Sequence, residues 1–132
     1  MAAELTGRAL EILQDKNFAT VSTLRKDGSV LSNVVWVHAD KDAVWVNSAE
    51  GRAWPTNLSR DPRVSIVVPN WEKPYEYVYV RGRAAEITPE GANDHIDFLA
   101  KKYRGIDRYD GYREGEVRIK IRIEPEHVKY YG

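Results

Sequence analysis

The sequence predicts a mainly β (α+β) protein, a small antiparallel barrel with a few peripheral helices. Several short stretches alternate apolar and polar residues with a period of two, which is typical of strands. The pair Asp27-Gly28 between two of them is a strong signal for a hairpin turn. The order of helix, four strands, an inserted helix and a late strand fits such a barrel and not a βαβ repeat.

Size and composition narrow the class of protein. The 132 residues are expected to form one domain, 1–132, and the 42% of apolar residues can supply its core. A formal net charge of zero argues against a nucleic-acid-binding protein. The absence of cysteine excludes disulfides and thiolate metal sites. No signal peptide or membrane-spanning run is visible, so we expect a cytoplasmic protein with no membrane partner.

The N-terminal part is predicted as a helix followed by a hairpin. Residues 4–16 have apolar positions at helical spacing, and residues 18–24 are rich in β-branched residues. The return strand, residues 30–40, is largely apolar on both faces, which indicates a closed barrel or a subunit interface. Ser32 and Asn33 are its polar exceptions. They indicate either a bulge or hydrogen-bonded edge, or a contact with the polar rim of a ligand ring.

The stretch 44–68 is read as strand, short helix and strand. Pro55 is tolerated only in the first turn of a helix, so the helix should begin between Ser48 and Trp54. Asp61 before Pro62 ends it, because a residue that precedes proline is disfavoured in the α region.

The start of this helix is a candidate phosphate site. Free backbone N–H groups, Asn47, Ser48 and Arg52 are expected to converge there, and such groups attract an anion. Most strand-to-helix junctions with serine and arginine bind nothing, so these residues alone leave both interpretations open.

The C-terminal half is predicted as a turn at residues 69–76, a strand at 77–87, a helix, a loop and a last strand. Four Trp and eight Tyr are more than a small core needs, so some should face a ligand or a second subunit. Trp71 and Tyr75 at the turn are candidates for that role. Gly82 indicates a bulge or a close approach within the strand.

The following helix is predicted to have Thr88 as its cap, Pro89 as its first residue and Gly105 at its end. The polar, glycine-punctuated loop 106–116 is expected to be mobile or gated by a ligand. In residues 117–123 isoleucines and valine alternate with basic residues, which predicts a half-buried strand with a basic outer row.

The side chains offer no catalytic machinery of their own. His38, His95 and His127 lack the spacing of metal ligands, which argues against a metal centre. Neither a nucleophile elbow nor a phosphate-binding P-loop motif is present. If the protein is an enzyme, the reactive atoms should therefore belong to a cofactor.

A longer pattern identifies a family resemblance. The order N-S-x-x-x-R-x-x-x-x-N-L-x-x-D-P-R-V-S-I, residues 47–66, resembles the signature of the pyridoxamine 5'-phosphate oxidase-like split β-barrel family, with its FMN-binding, flavin reductase-like fold. It is most similar to the small members that use the deazaflavin coenzyme F420. The likeness extends over residues 8–130.

The resemblance implies a homodimer with a flavin or deazaflavin at the subunit interface. It implies that Asn47, Ser48, Arg52 and Asn57 hold the phosphate and the adjoining chain. The ring would lie along Ser32, Asn33 and Val34, with Trp71 and Tyr75 of the other subunit as a wall.

Two departures from the family pattern qualify this assignment. Many relatives have a lysine where this chain has Trp54, and a missing charge-assisted contact costs about 1.5 to 3 kcal/mol. Arg25, Lys26 or Arg60 are candidates to compensate. The chain also ends in EPEHVKYYG, without the arginine and tryptophan with which true pyridoxamine phosphate oxidases hold their substrate, so we do not expect vitamin B6 oxidation.

The resemblance therefore implies an F420H2-dependent reductase that passes hydride to an unsaturated small molecule. An FMN-dependent oxidoreductase of the same fold is the alternative. A third hypothesis is a non-catalytic protein that binds F420 or a flavin, or a small interaction domain. The substrate does not follow from the sequence.

Overall fold

The computed structural model describes residues 3–132. Three helices, α1 (Gly7–Gln14), α2 (Ala53–Arg60) and α3 (Ala92–Arg104), surround a sheet. Its seven strands are β1 (Ala19–Leu24), β2 (Val30–Val35), β3 (His38–Ala39), β4 (Val44–Ala49), β5 (Arg63–Asn70), β6 (Lys73–Thr88) and β7 (Arg118–Tyr131). No helix in this part of the chain is long and apolar enough to cross a bilayer.

The sheet is a barrel that is split along one seam. Its strand order is β2-β1-β5-β6-β7-β4-β3, and every neighbouring pair is antiparallel. The two edge strands, β2 and β3, are consecutive in the chain and are joined only by Trp36 and Val37. Because two residues span less than about 10 Å, the sheet must curl until its edges nearly meet. The predicted antiparallel split barrel is confirmed.

The barrel interior is a continuous apolar core. Buried residues alternate along β1, β5 and the middle of β6, as a pleated sheet requires. In β4 the residues from Val46 to Ala49 are buried on both faces. The residues of α1 and α2 that join them, Ile12, Leu13, Trp54 and Leu58, are also buried. The two helices therefore cover open parts of the barrel.

Several local predictions are confirmed. Pro55 is the third residue of α2, inside its first turn, and the helix ends at Asp61. Gly105 ends α3 with a positive φ of 71°. At Gly82 the register of β6 against β7 shifts, and a Cβ atom there would overlap the Glu124 carbonyl. Only glycine allows that approach.

Other boundaries differ from the prediction. The predicted strand 30–40 breaks after Val35, because Val37 donates its N–H to the Tyr103 hydroxyl and leaves the sheet. The turn predicted at 69–76 is only Trp71 and Glu72, since β5 and β6 continue on both sides. The last strand runs on to Tyr131 because β6 is long enough to pair with it throughout.

The predicted cap of the third helix is wrong. Thr88 is the last residue of β6, and its hydroxyl oxygen accepts the N–H of Glu90 in a turn, 3.1 Å away. The helix begins only at Ala92, after Gly91 has taken a left-handed conformation with φ of 70°. Three residues of turn are needed to swing the chain from the end of the long strand into the helix.

The two apolar faces predicted for β2, which indicate a closed barrel or a subunit interface, differ in the single chain. Leu31 and Val35 pack against the core, but Val30 and Val34 on the outer face are 59% and 72% exposed. Ser32 lies between them and shares a hydrogen bond of 2.8 Å with Ser22 on β1. An apolar outer strand face is thus open to solvent.

Candidate cofactor site

A cleft of about 470 Å³ opens beside the seam of the barrel. It lies between the end of β2, helix α3 and the segment 106–118. We call it the cleft, and its walls combine aromatic rings with guanidinium groups. The lining includes Phe18, Val34, Trp36, Asn47, Arg52, Arg104, Tyr109 and Arg118.

Aromatic rings form the base of the cleft. The Trp36 ring stacks on Tyr103 with a centroid distance of 5.2 Å and an interplanar angle of 5°. Tyr109 meets Trp36 edge to face at 6.0 Å, and Phe18 packs against Trp71 in the same way at 5.0 Å. Such pairs are favourable beyond their buried area. The cleft therefore offers flat apolar surfaces whose orientation is fixed.

The hydroxyl of Tyr103 fixes this base to the backbone. It accepts the N–H of Val37 at 3.0 Å and donates to the carbonyl of Asn17. Burial raises the pKa of Tyr103 to about 12, so the phenol stays neutral. Lys102 donates to the carbonyls of Leu13 and Val37 at 3.0 and 2.6 Å, and burial lowers its pKa to about 8. Helix α3 thus links the β2–β3 connection to the end of α1 and the residues after it.

A buried arginine lies at the other wall. The side chain of Arg118 is 4% exposed, and its Nε and Nη2 donate to Asn47 Oδ1 at 3.0 and 2.7 Å. Its Nη1 donates to Glu116 at 3.1 Å. The other oxygen of Glu116 accepts from Arg52 Nη2, also at 3.1 Å. Two guanidinium groups therefore share one carboxylate, which leaves a net positive charge at this wall.

His95 completes the polar cluster behind the cleft. Asn47 Nδ2 donates to the carbonyl of Ala92 and lies 3.0 Å from His95 Nδ1. Since that amide nitrogen is a donor, Nδ1 must be the acceptor and Nε2 carries the proton. Burial, helped by the nearby charge of Lys120, lowers the pKa of His95 to about 4. The imidazole is neutral at pH 7.

The segment 106–116 is attached to α3 by several contacts. Asp97 accepts the N–H of Tyr109 at 2.8 Å and the hydroxyl of Tyr112 at 2.9 Å. The ion pairs Arg104 with Asp110 and Lys101 with Asp107 add two links at the exposed surface. Exposed pairs contribute little stability, so this wall is positioned but weakly held.

Three of the predicted site residues meet at the cleft. Val34, Asn47 and Arg52 line it, and the free edge of β2 runs past it. An edge strand leaves backbone N–H and C=O groups unpaired, and these can bind a ligand. Ser32 and Val34 point outward while Asn33 points inward, so a ring along these three residues would contact their backbone edge more than a common side-chain face. The Oδ1 atom of Asn33 is buried without a partner.

The structure does not bring the remaining predicted residues to the same place. Ser48 follows Asn47 on β4 and therefore points to the opposite face, where its hydroxyl is buried without a partner. Trp54 is 5% exposed and belongs to the barrel core. Trp71 is exposed beside Phe18, and Tyr75 is 94% exposed.

Asn57 faces a second concavity. Its Nδ2 donates to Thr23 Oγ1 at 3.1 Å, and its side chain lines a space of about 530 Å³. This space, which we call the basic pocket, also has Arg25, Lys26 and Arg60 on its walls. The predicted phosphate residues are therefore divided between two sites on either side of the start of α2.

Sequence reasoning missed Arg118, Trp36 and Tyr103. It placed Arg118 in a basic outer row, which is wrong because α3 and the segment 106–116 cover that end of β7. No local signal distinguishes Arg118 from Lys120 or Arg122. Arg118 is buried while Lys120 and Arg122 are only half-buried, and this difference follows from the position of α3, which is a long-range feature.

The described residues, 3–132, contain no group of three or more histidine, aspartate or glutamate side chains placed to hold a metal ion.

Comparisons with known proteins agree on one fold. The Pyridoxamine 5'-phosphate oxidase family model matches residues 5–132. A solved structure named F420 reductase superposes with a TM-score of 0.81 at 22% identity, over 90% of this chain and 94% of that one. A conserved hypothetical protein from Mycobacterium tuberculosis gives 0.75 at 20% identity, over 99% and 88% of the two chains. General Stress Protein 26 from Bacillus anthracis gives 0.67 at 18% identity, over 92% and 88%. At these identities the structural likeness establishes the fold.

Proposed function

Because this chain belongs to the pyridoxamine 5'-phosphate oxidase family, we propose that it binds a phosphorylated flavin-type cofactor, coenzyme F420, in the cleft. With it the protein reduces an unsaturated small molecule. When bound, the reduced deazaflavin supplies a hydride. The protein's own residues supply binding, orientation and exclusion of water.

The observation that carries the proposal is the pairing of a flat aromatic base with two guanidinium groups. Trp36, stacked on Tyr103, presents a flat wall, and the unpaired edge of β2 lies next to it. Arg52 and Arg118 share only Glu116, so an anion is attracted to their side of the cleft. A planar ring with a phosphate tail is complementary to both features.

Arg118 could also replace the lysine that many relatives have at the position of Trp54. Trp54 packs in the core and could not be replaced by a cation without burying its charge. In this chain Arg118 is proposed to supply the second positive charge that relatives place on a lysine. The name of one structural neighbour, F420 reductase, favours the deazaflavin over FMN.

Reduction of the substrate also needs a proton, which a residue of the protein can donate. The hydroxyl of Tyr103 is committed to backbone groups of Val37 and Asn17 and is not free to move a proton. Tyr109 lines the cleft, and its hydroxyl makes no hydrogen bond within residues 3–132. We propose Tyr109 or solvent as the proton source.

A second copy of the chain completes the proposed site. The outer face of β2 exposes Val30 and Val34, and β5, which lies on the other side of β1, adds Val67 in register with Val34. Apolar residues in a row on a strand face are typical of a subunit interface. A homodimer formed through this face would bring another subunit beside the cleft, and Trp71 and Tyr75 remain candidates for its wall. Light scattering of the purified protein tests this directly.

Cofactor identity is tested by titration. Trp36 lies at the base of the cleft, so ligand binding should quench tryptophan fluorescence, and F420 and FMN are compared in parallel. Arg52→Ala should raise the dissociation constant of the true cofactor about tenfold or more, because a charge-assisted contact is lost. The control is Arg63→Ala, since Arg63, at the start of β5, pairs with Asp61 and does not line the cleft. If Arg52→Ala binds like wild type, Arg52 is not in the site. Protein that is purified yellow and releases FMN on boiling would favour the FMN-dependent alternative.

A further inference from the structure

The side-chain amide of Asn47 is fully hydrogen-bonded by the protein itself. An amide has two N–H donors on its nitrogen and two acceptor positions on its oxygen. The nitrogen lies 3.0 Å from both the carbonyl oxygen of Ala92 and Nδ1 of His95. The oxygen accepts Nε and Nη2 of Arg118 at 3.0 and 2.7 Å. Asn47 lines the cleft, but its amide has no donor or acceptor left for a ligand.

The orientation of this amide is fixed by the groups on its two sides. Ala92 and His95 present acceptors to it, and Arg118 presents only donors, because a guanidinium group has no acceptor. Rotating the amide by half a turn would place its oxygen against the Ala92 carbonyl and its NH2 group against the guanidinium group. Both contacts would then be repulsive. The amide is therefore a fixed link between helix α3 and Arg118.

Strand register and helix position bring these groups together. Ala49 is opposite Arg118 in the β4–β7 pair, and Asn47 lies two residues before Ala49, so Asn47 and Arg118 are diagonal neighbours on one face. Such neighbours are about 7 to 8 Å apart, a distance that an arginine side chain can span. Ala92 and His95 both belong to the start of α3. The link depends on β4, β7 and α3 together.

The same hydrogen bonds continue to Arg52. Nη1 of Arg118 donates to one oxygen of Glu116, and the other oxygen accepts from Nη2 of Arg52, both at 3.1 Å. The Arg118 side chain is 4% exposed, and its guanidinium carbon lies 5.2 Å from the centroid of the Tyr109 ring. The Arg52 side chain is 45% exposed. Arg52 can therefore contact an anion in the cleft directly, whereas Arg118 contributes charge and holds Glu116.

We infer that Asn47 is a positioning residue that does not touch the bound anion. With the first turn of α3 it fixes Arg118, and Arg118 through Glu116 fixes Arg52 for contact with the phosphate. This inference rests on the proposed function and deepens it, because it separates the residue that contacts the anion from those that place it. It differs from the direct phosphate contact that the family resemblance implies for Asn47.

The link from Asn47 to α3 is tested without any ligand. The imidazole of His95 is titrated by NMR in wild type, Asn47→Asp and Asn93→Asp. Burial lowers the pKa of His95 to about 4 in wild type. A carboxylate at position 47 cannot donate, so His95 should take up a proton and donate instead, and its pKa should rise above about 6.5. Asn93→Asp adds the same charge at an exposed position of α3 and should leave the pKa of His95 low.

An unchanged pKa of His95 in Asn47→Asp would overturn the inference, because the amide would then not be tied to His95. An equal rise in both variants would overturn it as well, since added charge alone would explain the shift.

A double-mutant cycle tests whether Asn47 acts through Arg118. F420, or FMN if F420 does not bind wild type, is titrated into wild type, Asn47→Ala, Arg118→Lys and the double variant. Arg118→Lys keeps the charge but loses the fork that fits the amide oxygen. Each single change should weaken binding about tenfold, because the groups at this wall are no longer held in place before the ligand arrives. The double variant should lie within about twofold of the single variants, since both changes break the same contact.

Two controls accompany the cycle. Asn93→Ala removes an exposed amide of α3 and should leave the affinity unchanged. Thermal unfolding verifies that every variant is folded at the temperature of the titration, and Asn47→Ser takes the place of Asn47→Ala if the latter does not fold.

The outcomes separate the inference from the proposed function. Losses that multiply in the double variant would mean that Asn47 contacts the anion itself, and unchanged or tighter binding by Asn47→Ala would mean that it does not position the site. Either result overturns the inference while the proposed function stands, because wild type still binds its cofactor.

A wild type that binds neither F420 nor FMN would end the proposed function. The same cycle is then run with inorganic phosphate by calorimetry. Losses that do not multiply would keep Asn47 as a positioning residue of an anion site, and multiplied losses or a lack of phosphate binding would overturn the inference too.

Discussion

The cleft and the basic pocket are both lined by cations, but these cations differ in burial and in pairing. In the cleft, Arg118 is nearly inaccessible, and three of its nitrogens are bonded to Asn47 and Glu116. In the basic pocket, Arg25, Lys26 and Arg60 are exposed, and within residues 3–132 none of them lies within 4.0 Å of a carboxylate oxygen. A buried charge must be paired by the protein itself, whereas an exposed charge can be left for a ligand.

The difference assigns different tasks to the two regions. Rigid, paired groups select geometry, because they lose no freedom when a ligand arrives. Unpaired exposed groups add long-range attraction that salt screens within about 10 Å. The cleft should therefore determine which ring fits, and the basic pocket should attract anions with a strength that depends on salt.

The largest expected effect comes from removing the paired arginine. Arg118→Leu leaves Glu116 and Asn47 Oδ1 without their donors and should cost about 3 to 5 kcal/mol of unfolding free energy. Urea denaturation measures it. Arg122→Leu is the matched control, because Arg122 lies on the same face of β7, four residues further, and is only half-buried. Equal losses in the two variants would mean that pairing at Arg118 does not stabilise the fold.

The next effect is a pH dependence of stability that arises beside the cleft. An unfolded histidine takes up a proton near pH 6.5, but burial lowers the pKa of His95 to about 4 in the fold. Between these values the unfolded chain binds more protons, so stability falls as the pH falls. From pH 7 to pH 5 the loss attributable to His95 is about 2 kcal/mol.

His95→Gln should remove this part of the pH dependence, because glutamine can still accept from Asn47 and does not titrate. Denaturation at pH 5, 6 and 7 compares it with wild type. The control His127→Gln replaces an exposed histidine on β7. An unchanged pH dependence in His95→Gln would contradict the assignment.

How far the sequence predicts this molecule depends on the range of the interaction. Pro55, Gly82 and Gly105 act through their own backbone, so the start of α2, the bulge and the end of α3 are predictable. The break after Val35 is not predictable, because it depends on a hydrogen bond from Val37 to the hydroxyl of Tyr103, which is 66 residues away from Val37 in sequence.

The candidate site divides in the same manner. Asn47 and Arg52 belong to a local strand-to-helix pattern, and both do line the cleft. Ser48 belongs to the same pattern, but the strand continues through Ala49 and its alternation turns the hydroxyl inward. Arg118 is brought to the cleft by the pairing of β7 with β4, and a register cannot be read from one strand.

The smallest expected effect comes from Glu116→Gln, which would leave the cations of the cleft without a carboxylate partner, as those of the basic pocket are. Glu116→Gln keeps an oxygen for Arg52 and Arg118 but removes the charge that they share. A phosphate about 7 Å away in a water-like dielectric would then gain about 0.6 kcal/mol, or roughly threefold in affinity. Fluorescence titration with whichever cofactor binds wild type measures it, and Glu114→Gln, an exposed acid of the same segment, is the control. Weaker binding by Glu116→Gln would mean that the carboxylate matters more for orienting the two arginines than for offsetting their charge. The cleft would then depend on Glu116 for its geometry as well as for its stability.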